Sequence, residues 1–404
     1  MEATDARPCP VCGGADARPL YRQRFARLSG GNPVSGYDVV VCEACGAGFA
    51  RGIPSQAELD AYYRDLSKYE NAERGGGASP ADTARFEAIA RSLAPFVPSS
   101  EAAVLDVGCA TGGLLAEIRR LGFARVEGLD PSPACAESAR SLHGLEVRTG
   151  SLAALPDGMP AYDLVILLGV LEHLRDVGPA LASVRRLLPE RGRLFVEVPD
   201  VAGFARYLEA PFQQFSVEHV SFFSETSLGN VLRRHGFEPL VGTRGARAQS
   251  ESSTMPVLTT VAEKVAATAG RMVRDGETLP ALEAYIERSE AREAPVAQVI
   301  DDLVRSRRPV VVWGVGTQTA HLLATRRLAE ACIVAFVDSN PGYQGRTLGG
   351  VPVFPPEFLR TRSEAVVIST GVYHREILRQ LREGLGCPND VIVLNAETPR
   401  QGLE

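Results

Sequence analysis

The segment Asp106-Val107-Gly108-Cys109-Ala110-Thr111-Gly112-Gly113 stands between an apolar run, Ala102–Leu105, and a helix-like run, Leu114–Leu121. A strand, a glycine turn and a helix in that order point to an α/β fold with a ligand held at the turn. Gly108 lets the backbone turn where a side chain would collide with that ligand. Gly112 and Gly113 open the helix, whose free N–H groups suit a polar or anionic group. A second apolar run, Ala124–Leu129, ends in Asp130. An acid at the tip of the second strand, roughly twenty residues past the turn, is placed to accept hydrogen bonds from two ribose hydroxyls. The turn reads as a nucleoside site.

The dinucleotide fingerprint calls for glycine where Asp106 stands. A carboxylate there repels a pyrophosphate and suits the cationic amino-acid end of S-adenosylmethionine. V-L-D-V-G-C-A-T-G-G, G-L-D-P-S-P and D-L-V-I-L-L-G-V-L-E-H-L (Asp163–Leu174) together resemble the class I methyltransferases. That resemblance implies cofactor contacts at Asp106, Gly108, Cys109, Gly112, Asp130 and Pro131. It also sets Glu172 and His173 close to the bound cofactor, and Ser151 and Leu152 where the family's loop packs against adenine.

A chain of 404 residues exceeds one ordinary core, so two or three domains are expected. The formal charge of −6 argues against a protein that tracks nucleic-acid phosphates over a broad surface. No stretch reaches the length of a membrane span, and Met1–Cys9 lacks the apolar core of a signal peptide. A soluble, cytoplasmic protein is expected, in which thiols stay reduced and paired cysteines are better read as metal ligands than as disulfides. Cys9-Pro10-Val11-Cys12-Gly13 and Cys42-Glu43-Ala44-Cys45-Gly46 form two C-x-x-C hooks, each followed by glycine. Four thiolates surround one Zn²⁺ tetrahedrally and leave no open position, so the site reads as a structural zinc ribbon. Cys109, Cys135, Cys332 and Cys387 are scattered and read as core or turn residues.

The predicted organisation is a zinc-binding module over 1–55, a helical connector over 56–100, a cofactor-binding core over 101–243, a loop and helical linker over 244–306, and a second Rossmann-like domain over 307–404. Within it, Gln56–Tyr69 and Asp82–Leu93 read as helices joined by the glycine-rich Glu70–Pro80. Arg193–Val198 and Gly236–Val241 read as strands, and Arg244–Thr254 as loop. Val257–Val273 and Ala281–Arg305 read as helices, the second a charged, solvated connector. Val310–Trp313, the turn Gly314–Thr317 and the run Ile333–Val337 ending in Asp338 repeat the strand, turn, strand and acid order. Gln318 and Thr319 occupy the place of the fingerprint's last glycine, so this module reads as one that shapes a substrate pocket rather than one that holds a nicotinamide cofactor.

One loop carries candidate chemistry: Phe215-Ser216-Val217-Glu218-His219-Val220-Ser221-Phe222-Phe223-Ser224. An adjacent acid and imidazole flanked by aromatics can remove a proton near neutral pH. The same residues also fit a surface loop in which His219 only hydrogen-bonds its neighbours. The paired hooks, the cofactor motifs, the E-H-V-S-F-F-S stretch and D-S-N-P-G-Y-Q-G-R (Asp338–Arg346) together resemble the nucleotide-sugar C-methyltransferases of deoxysugar pathways. The resemblance implies a nucleotide-linked 4-keto sugar as substrate, with His219 taking its C3 proton and Glu218 orienting or stabilising the ring. The resulting carbanion would attack the donor's methyl group. Tyr63, Tyr69, Ser216 and Phe222 are candidates for the substrate wall. The family's tyrosine and histidine are replaced by Ser216 and Val217, which keeps open an O- or N-methyltransferase of a sugar or natural product. An RNA methyltransferase is opposed by the acidic balance. A catalytically inactive binding protein is opposed by the near-complete cofactor signature. The expected partner is a small molecule, with neither nucleic acid nor membrane.

Overall fold

The computed structural model describes residues 7–31, 34–66, 80–250, 253–266 and 272–394. The amino-terminal strands β1 (Ala17–Arg24), β2 (Gly36–Cys42) and β3 (Gly48–Arg51) form an antiparallel sheet. Both faces of β2 are covered. Tyr37, Val39 and Val41 face one apolar cluster, and Val40 and Cys42 face another. The helices α1 (Gln56–Leu66) and α2 (Pro80–Leu93) follow. Tyr69 and the glycine-rich connection lie outside the described residues.

The core comprises β4 (Val104–Val107), α3 (Gly113–Arg120), β5 (Val126–Asp130), α4 (Pro133–His143), β6 (Val147–Thr149), β7 (Leu164–Leu168), α5 (Val177–Leu187), β8 (Arg193–Pro199), β9 (Ser221–Phe222), α6 (Glu225–Arg234), β10 (Phe237–Ala248) and β11 (Thr254–Lys264). Its sheet has the order β10-β11-β8-β7-β4-β5-β6, with β11 antiparallel to its neighbours and the strands from β8 to β6 parallel. The chain winds outward from β4 to β6, then crosses back to β7 beside β4. That reversal opens a crevice at the carboxyl ends of β4 and β7. Local signals set the helix ends: Ser132 accepts the Cys135 N–H at the start of α4, and Gly144 ends that helix in the left-handed region.

Two expectations for 244–306 are corrected. The predicted loop and helix are instead the hairpin β10–β11, so the core sheet continues past 243 to Lys264. Val257, Leu258, Val261 and Ala262 are buried, Leu258 and Ala262 in one apolar cluster and Val261 in another. A strand covered on both faces reads as a near-continuous apolar run, whose period does not separate it from a helix. The second correction concerns α7 (Thr278–Ser306), predicted as a solvated connector. It buries Leu282, Tyr285, Ser289, Glu293, Val296, Ile300 and Leu303, a stripe at helical spacing. Leu282 and Tyr285 pack with Phe204, Phe212 and Phe215, while Val296 and Ile300 pack with Val310 and Val312 of the next domain.

The carboxy-terminal domain contains β12 (Val310–Trp313), α8 (Thr317–Thr325), β13 (Ile333–Val337), β14 (Thr347–Leu348), β15 (Val351–Phe354), β16 (Ala365–Ile368), α9 (His374–Arg379) and β17 (Val391–Val393). The sheet order is β14-β15-β13-β12-β16-β17, parallel apart from β14. Its turn is fixed as expected of a Rossmann-like unit, since Asp338 accepts the N–H of Val315 at 2.9 Å and of Asn340 at 2.8 Å. Among the described residues no helix is long and apolar enough to cross a membrane.

Candidate active site

Asp106 lies near the carboxyl end of β4, one residue before Val107, and is 2% exposed. Its Oδ1 has no hydrogen-bond partner among the described residues. Burial and the neighbouring Asp130 push its carboxyl up to about 8, against the opposing pull of Arg85. Asp130 accepts the N–H of Ala110 on one oxygen and of Ser132 on the other, each at 2.9 Å. This ties the tip of β5 to the glycine turn. Gly108 holds φ +71°, and a Cβ there would sit 2.9 Å from Val170 Cγ2, so both conformation and space require glycine. Cys109, Pro131, Ser151 and Leu152 line the same cavity. Gly112 does not line it. A Cβ on Gly112 would meet Leu145 and Ala139, so this glycine lets α3 pack close to α4 instead. An unpartnered buried acid beside a fixed acid and an apolar wall fits a nucleoside bearing a cationic group.

Glu172 and His173 follow β7 in a short helical turn and also line the cavity. The Glu172 Oε2 is buried without a partner among the described residues, and burial pushes its carboxyl up to about 8. The hydroxyl of Tyr63, on α1, lies 2.9 Å from His173 Nδ1, which is itself 3.1 Å from the Glu218 carbonyl oxygen. His219 reaches the cavity from the loop before β9, and its ring meets that of His173. The Glu218 carboxylate accepts a hydrogen bond from Tyr62 at 3.1 Å, a partner that the sequence did not reveal. Of the other wall candidates, Tyr63 lines the cavity, whereas Ser216 and Phe222 do not. Ser216 Oγ accepts the N–H groups of Glu218 and His219 at 3.2 and 3.0 Å and thereby shapes their loop. Phe222 is 2% exposed and packs against Phe204 and Phe215.

The amino-terminal module grips this loop directly. Strand β3 pairs with β9 through Gly48–Phe222 and Phe49–Ser221. Arg7, 1% exposed, donates to the carbonyls of Ala50, Leu174, Arg175 and Val220 and to the Ser221 hydroxyl. One guanidinium thus joins the module, the segment after His173 and the segment after His219.

The two cysteine hooks close in the same way. Gly13 donates to the Cys9 carbonyl at 2.8 Å and Gly46 to the Cys42 carbonyl at 2.9 Å, both glycines with positive φ. Cys9 Sγ lies 3.6 Å from Cys45 Sγ, and Cys12 Sγ 3.4 Å from Cys42 Sγ. All the sulfurs lie within 4.8 Å of one another, so the group can hold a tetrahedral metal ion.

Several lining residues had no signal in the sequence: Gln56 and Asp60 on α1, Arg85 and Phe86 on α2, and Arg247 on β10. No motif marks α1 or α2 as part of a site. Arg247 was hidden because its strand reads as polar loop.

Residues 81–241 match the family described as a methyltransferase domain, and residues 245–392 match the family described as a C-methyltransferase C-terminal domain. The boundary between them falls inside β10. Among curated proteins, the O-methyltransferase cnsE of Penicillium expansum is 29% identical over 191 residues, which cover 44% of this chain and 63% of that protein. The ubiquinone biosynthesis O-methyltransferase of Xylella fastidiosa (strain 9a5c) is 39% identical over 107 residues, covering 25% and 43%. The chain spans about half the length of these curated relatives. Among solved structures, the 1,6-didemethyltoxoflavin-N1-methyltransferase of Burkholderia thailandensis, with bound 1,6-didemethyltoxoflavin and S-adenosylhomocysteine, is 20% identical with a TM-score of 0.41, covering 57% of this chain and 96% of that one.

Proposed function

We propose that the chain, whose residues 81–241 match a methyltransferase domain and whose residues 245–392 match a C-methyltransferase C-terminal domain, uses S-adenosylmethionine to methylate a carbon beside a ketone in a small molecule, and that this acceptor is a nucleotide-linked 4-keto sugar. The observation that carries the reading is the position of His219, which lines the same cavity as Asp106 and Asp130. The match of 245–392 supports carbon as the accepting atom.

Asp106, Gly108, Asp130, Pro131, Ser151 and Leu152 would hold the donor, Asp106 facing its cationic end and Asp130 its ribose. When bound, the donor supplies a methyl group on a sulfonium, which the acceptor carbon takes as the carbon–sulfur bond breaks. His219 would remove the proton beside the ketone, leaving an enolate whose carbon faces that methyl group. Tyr63 and His173 form the adjoining wall. Glu218, held by Tyr62, would steady the loop that presents His219. Bringing base, acceptor and donor into one cavity supplies on the order of 7–11 kcal/mol at best through orientation alone.

Zinc is the ion that four thiolates at this spacing suit, and with every position filled by protein its role would be structural. It would fix the ribbon whose edge pairs with β9.

The test is solvent exchange. A 4-keto nucleotide sugar incubated in D₂O with the protein and S-adenosylhomocysteine is expected to gain deuterium beside the ketone, and the His219→Ala variant is expected not to exchange it. A second reading, methylation of oxygen, is favoured by Ser216 and Val217 at the departures from the sugar family and by the names of the curated relatives. Product methylated on oxygen without exchange would replace the first reading by the second.

A further inference from the structure

Two polar side chains are fully buried in the amino-terminal sheet. Gln23 of β1 and Tyr37 of β2 stand directly opposite each other in the antiparallel register, and each is 0% exposed. Beside them lies an apolar layer in which Phe25 and Val39 cluster with Phe215, Val217 and Phe222. A polar group in such a place is costly unless a partner meets it. Gln23 Nε2 donates to the Phe215 carbonyl and the Tyr37 hydroxyl donates to the Ser216 carbonyl, both at 2.8 Å. One cross-strand pair thus takes two consecutive carbonyls of the loop that bears His219. Burial pushes the Tyr37 phenol well above its ordinary value, so it keeps the proton it donates.

Neither residue lines the cavity. The link to it runs through Ser216, whose carbonyl takes the Tyr37 hydroxyl and whose own hydroxyl accepts the N–H groups of Glu218 and His219. Beyond His219, the Val220 N–H donates to the Glu172 carbonyl at 2.8 Å, which ties that side of the loop to the cavity wall. With one side anchored, a shift of the Ser216 peptide passes to the peptide that carries the His219 ring. Resting on the reading of His219 as the base, we propose that Gln23 and Tyr37 are positioning residues, which set the turn from which that ring enters the cavity. A reacting group misplaced by about 1 Å loses on the order of a hundredfold in rate, even when the change responsible lies far from the chemistry.

The variants are Tyr37→Phe, which keeps the ring but removes the donor, and Gln23→Leu, which removes the donor on the neighbouring strand. Both are made in the full chain and assayed by deuterium exchange and methyl transfer with a 4-keto nucleotide sugar. Each is expected to lower kcat by on the order of 10- to 100-fold, while the acceptor KM and the affinity for S-adenosylhomocysteine stay within about threefold. Histidine-selective nitrogen NMR reads the ring without any acceptor. The His219 signal, identified by its loss in His219→Ala, is expected to shift in both variants, whereas that of His374 in the carboxy-terminal domain is expected to stay. Because the two donors lie on different strands, loss of folding in one variant leaves the other to decide. A lower melting temperature with kcat and the His219 signal unchanged would make the bonds merely structural and overturn the proposal, as would equal losses in kcat and donor affinity. Wild-type protein that exchanges no deuterium would instead remove the base reading, and the His219 signal would still decide whether Gln23 and Tyr37 set the ring's place.

Discussion

The imidazole of His219 lies edge-on to that of His173, with ring centroids 5.0 Å apart and planes at 65°. His173 is in turn held by the Tyr63 hydroxyl and the Glu218 carbonyl, so the ring against which His219 rests has fixed neighbours. Removing the His219 ring should therefore leave the donor half of the cavity in place. His219→Ala is expected to bind S-adenosylhomocysteine within about twofold of the wild type while turnover falls ~100- to 10,000-fold, the usual span for loss of a general base. Calorimetry and a radiolabelled methyl-transfer assay check the two halves, and unchanged turnover would take this histidine out of the chemistry.

The buried acids make the ligand-free protein sensitive to pH. Asp106 and Glu172 are each held up to about 8, above the ordinary carboxylate value of about 4. Across that interval the folded chain keeps protons that the unfolded chain has released. Their contribution to stability is thus fully present below about pH 4 and is lost as the pH rises through about 8. The melting temperature of the wild type should fall over this window relative to the Asp106→Asn, Glu172→Gln double variant. Parallel profiles for the two proteins would count against the raised values.

Donor binding should release a proton. An ammonium placed against Asp106 favours its ionised form and draws the pKa back down. At pH 7 the apparent binding enthalpy of S-adenosylmethionine is expected to depend on the ionisation enthalpy of the buffer in the wild type. In Asp106→Asn the dependence should shrink and the affinity should drop. Buffer-independent enthalpies in the wild type would contradict this.

Metal removal should act at a distance on the loop that bears His219. The ribbon bearing Cys42 and Cys45 leads into β3, which pairs with β9 just after His219. The purified protein is expected to contain about one zinc per chain. Cys12→Ser should lower zinc content, melting temperature and turnover together. Metal analysis, thermal denaturation and assay on one preparation test this. Full turnover in zinc-free protein would separate the module from the loop.

Arg7 is the most heavily bonded side chain at that junction. Arg7→Met would leave several buried carbonyls without donors, at an expected cost on the order of 3–5 kcal/mol of unfolding free energy. Urea denaturation measures it. A loss below about 1 kcal/mol, the scale of an exposed ion pair, would show that the carbonyls find other partners.

The glycine turn after β4 was legible because its signals are local. Glycine at 108 is required by a positive φ and by Val170 in the space a side chain would need, and the acids at 106 and 130 end apolar runs. The cysteine hooks were legible for the same reason, each being a five-residue turn closed by glycine. Gly112 was read as part of the cradle because motif spacing does not tell ligand contact from helix packing. The hairpin β10–β11 was not legible, because burial on both faces of β11 erases the alternation of a strand.

From the amino-acid order alone came the glycine turn with its two acids, the cysteine hooks, the repeated strand-turn-strand unit and the Glu218–His219 pair, all features encoded within a few consecutive residues. Only the folded chain decided that α1 and α2 close the cavity, that Tyr62 holds Glu218, that Arg7 joins three segments, and that Arg85 meets Arg247 across Glu197. Those contacts join residues far apart in the chain. Their energies come from burial and from charges brought together by packing, which no local pattern records.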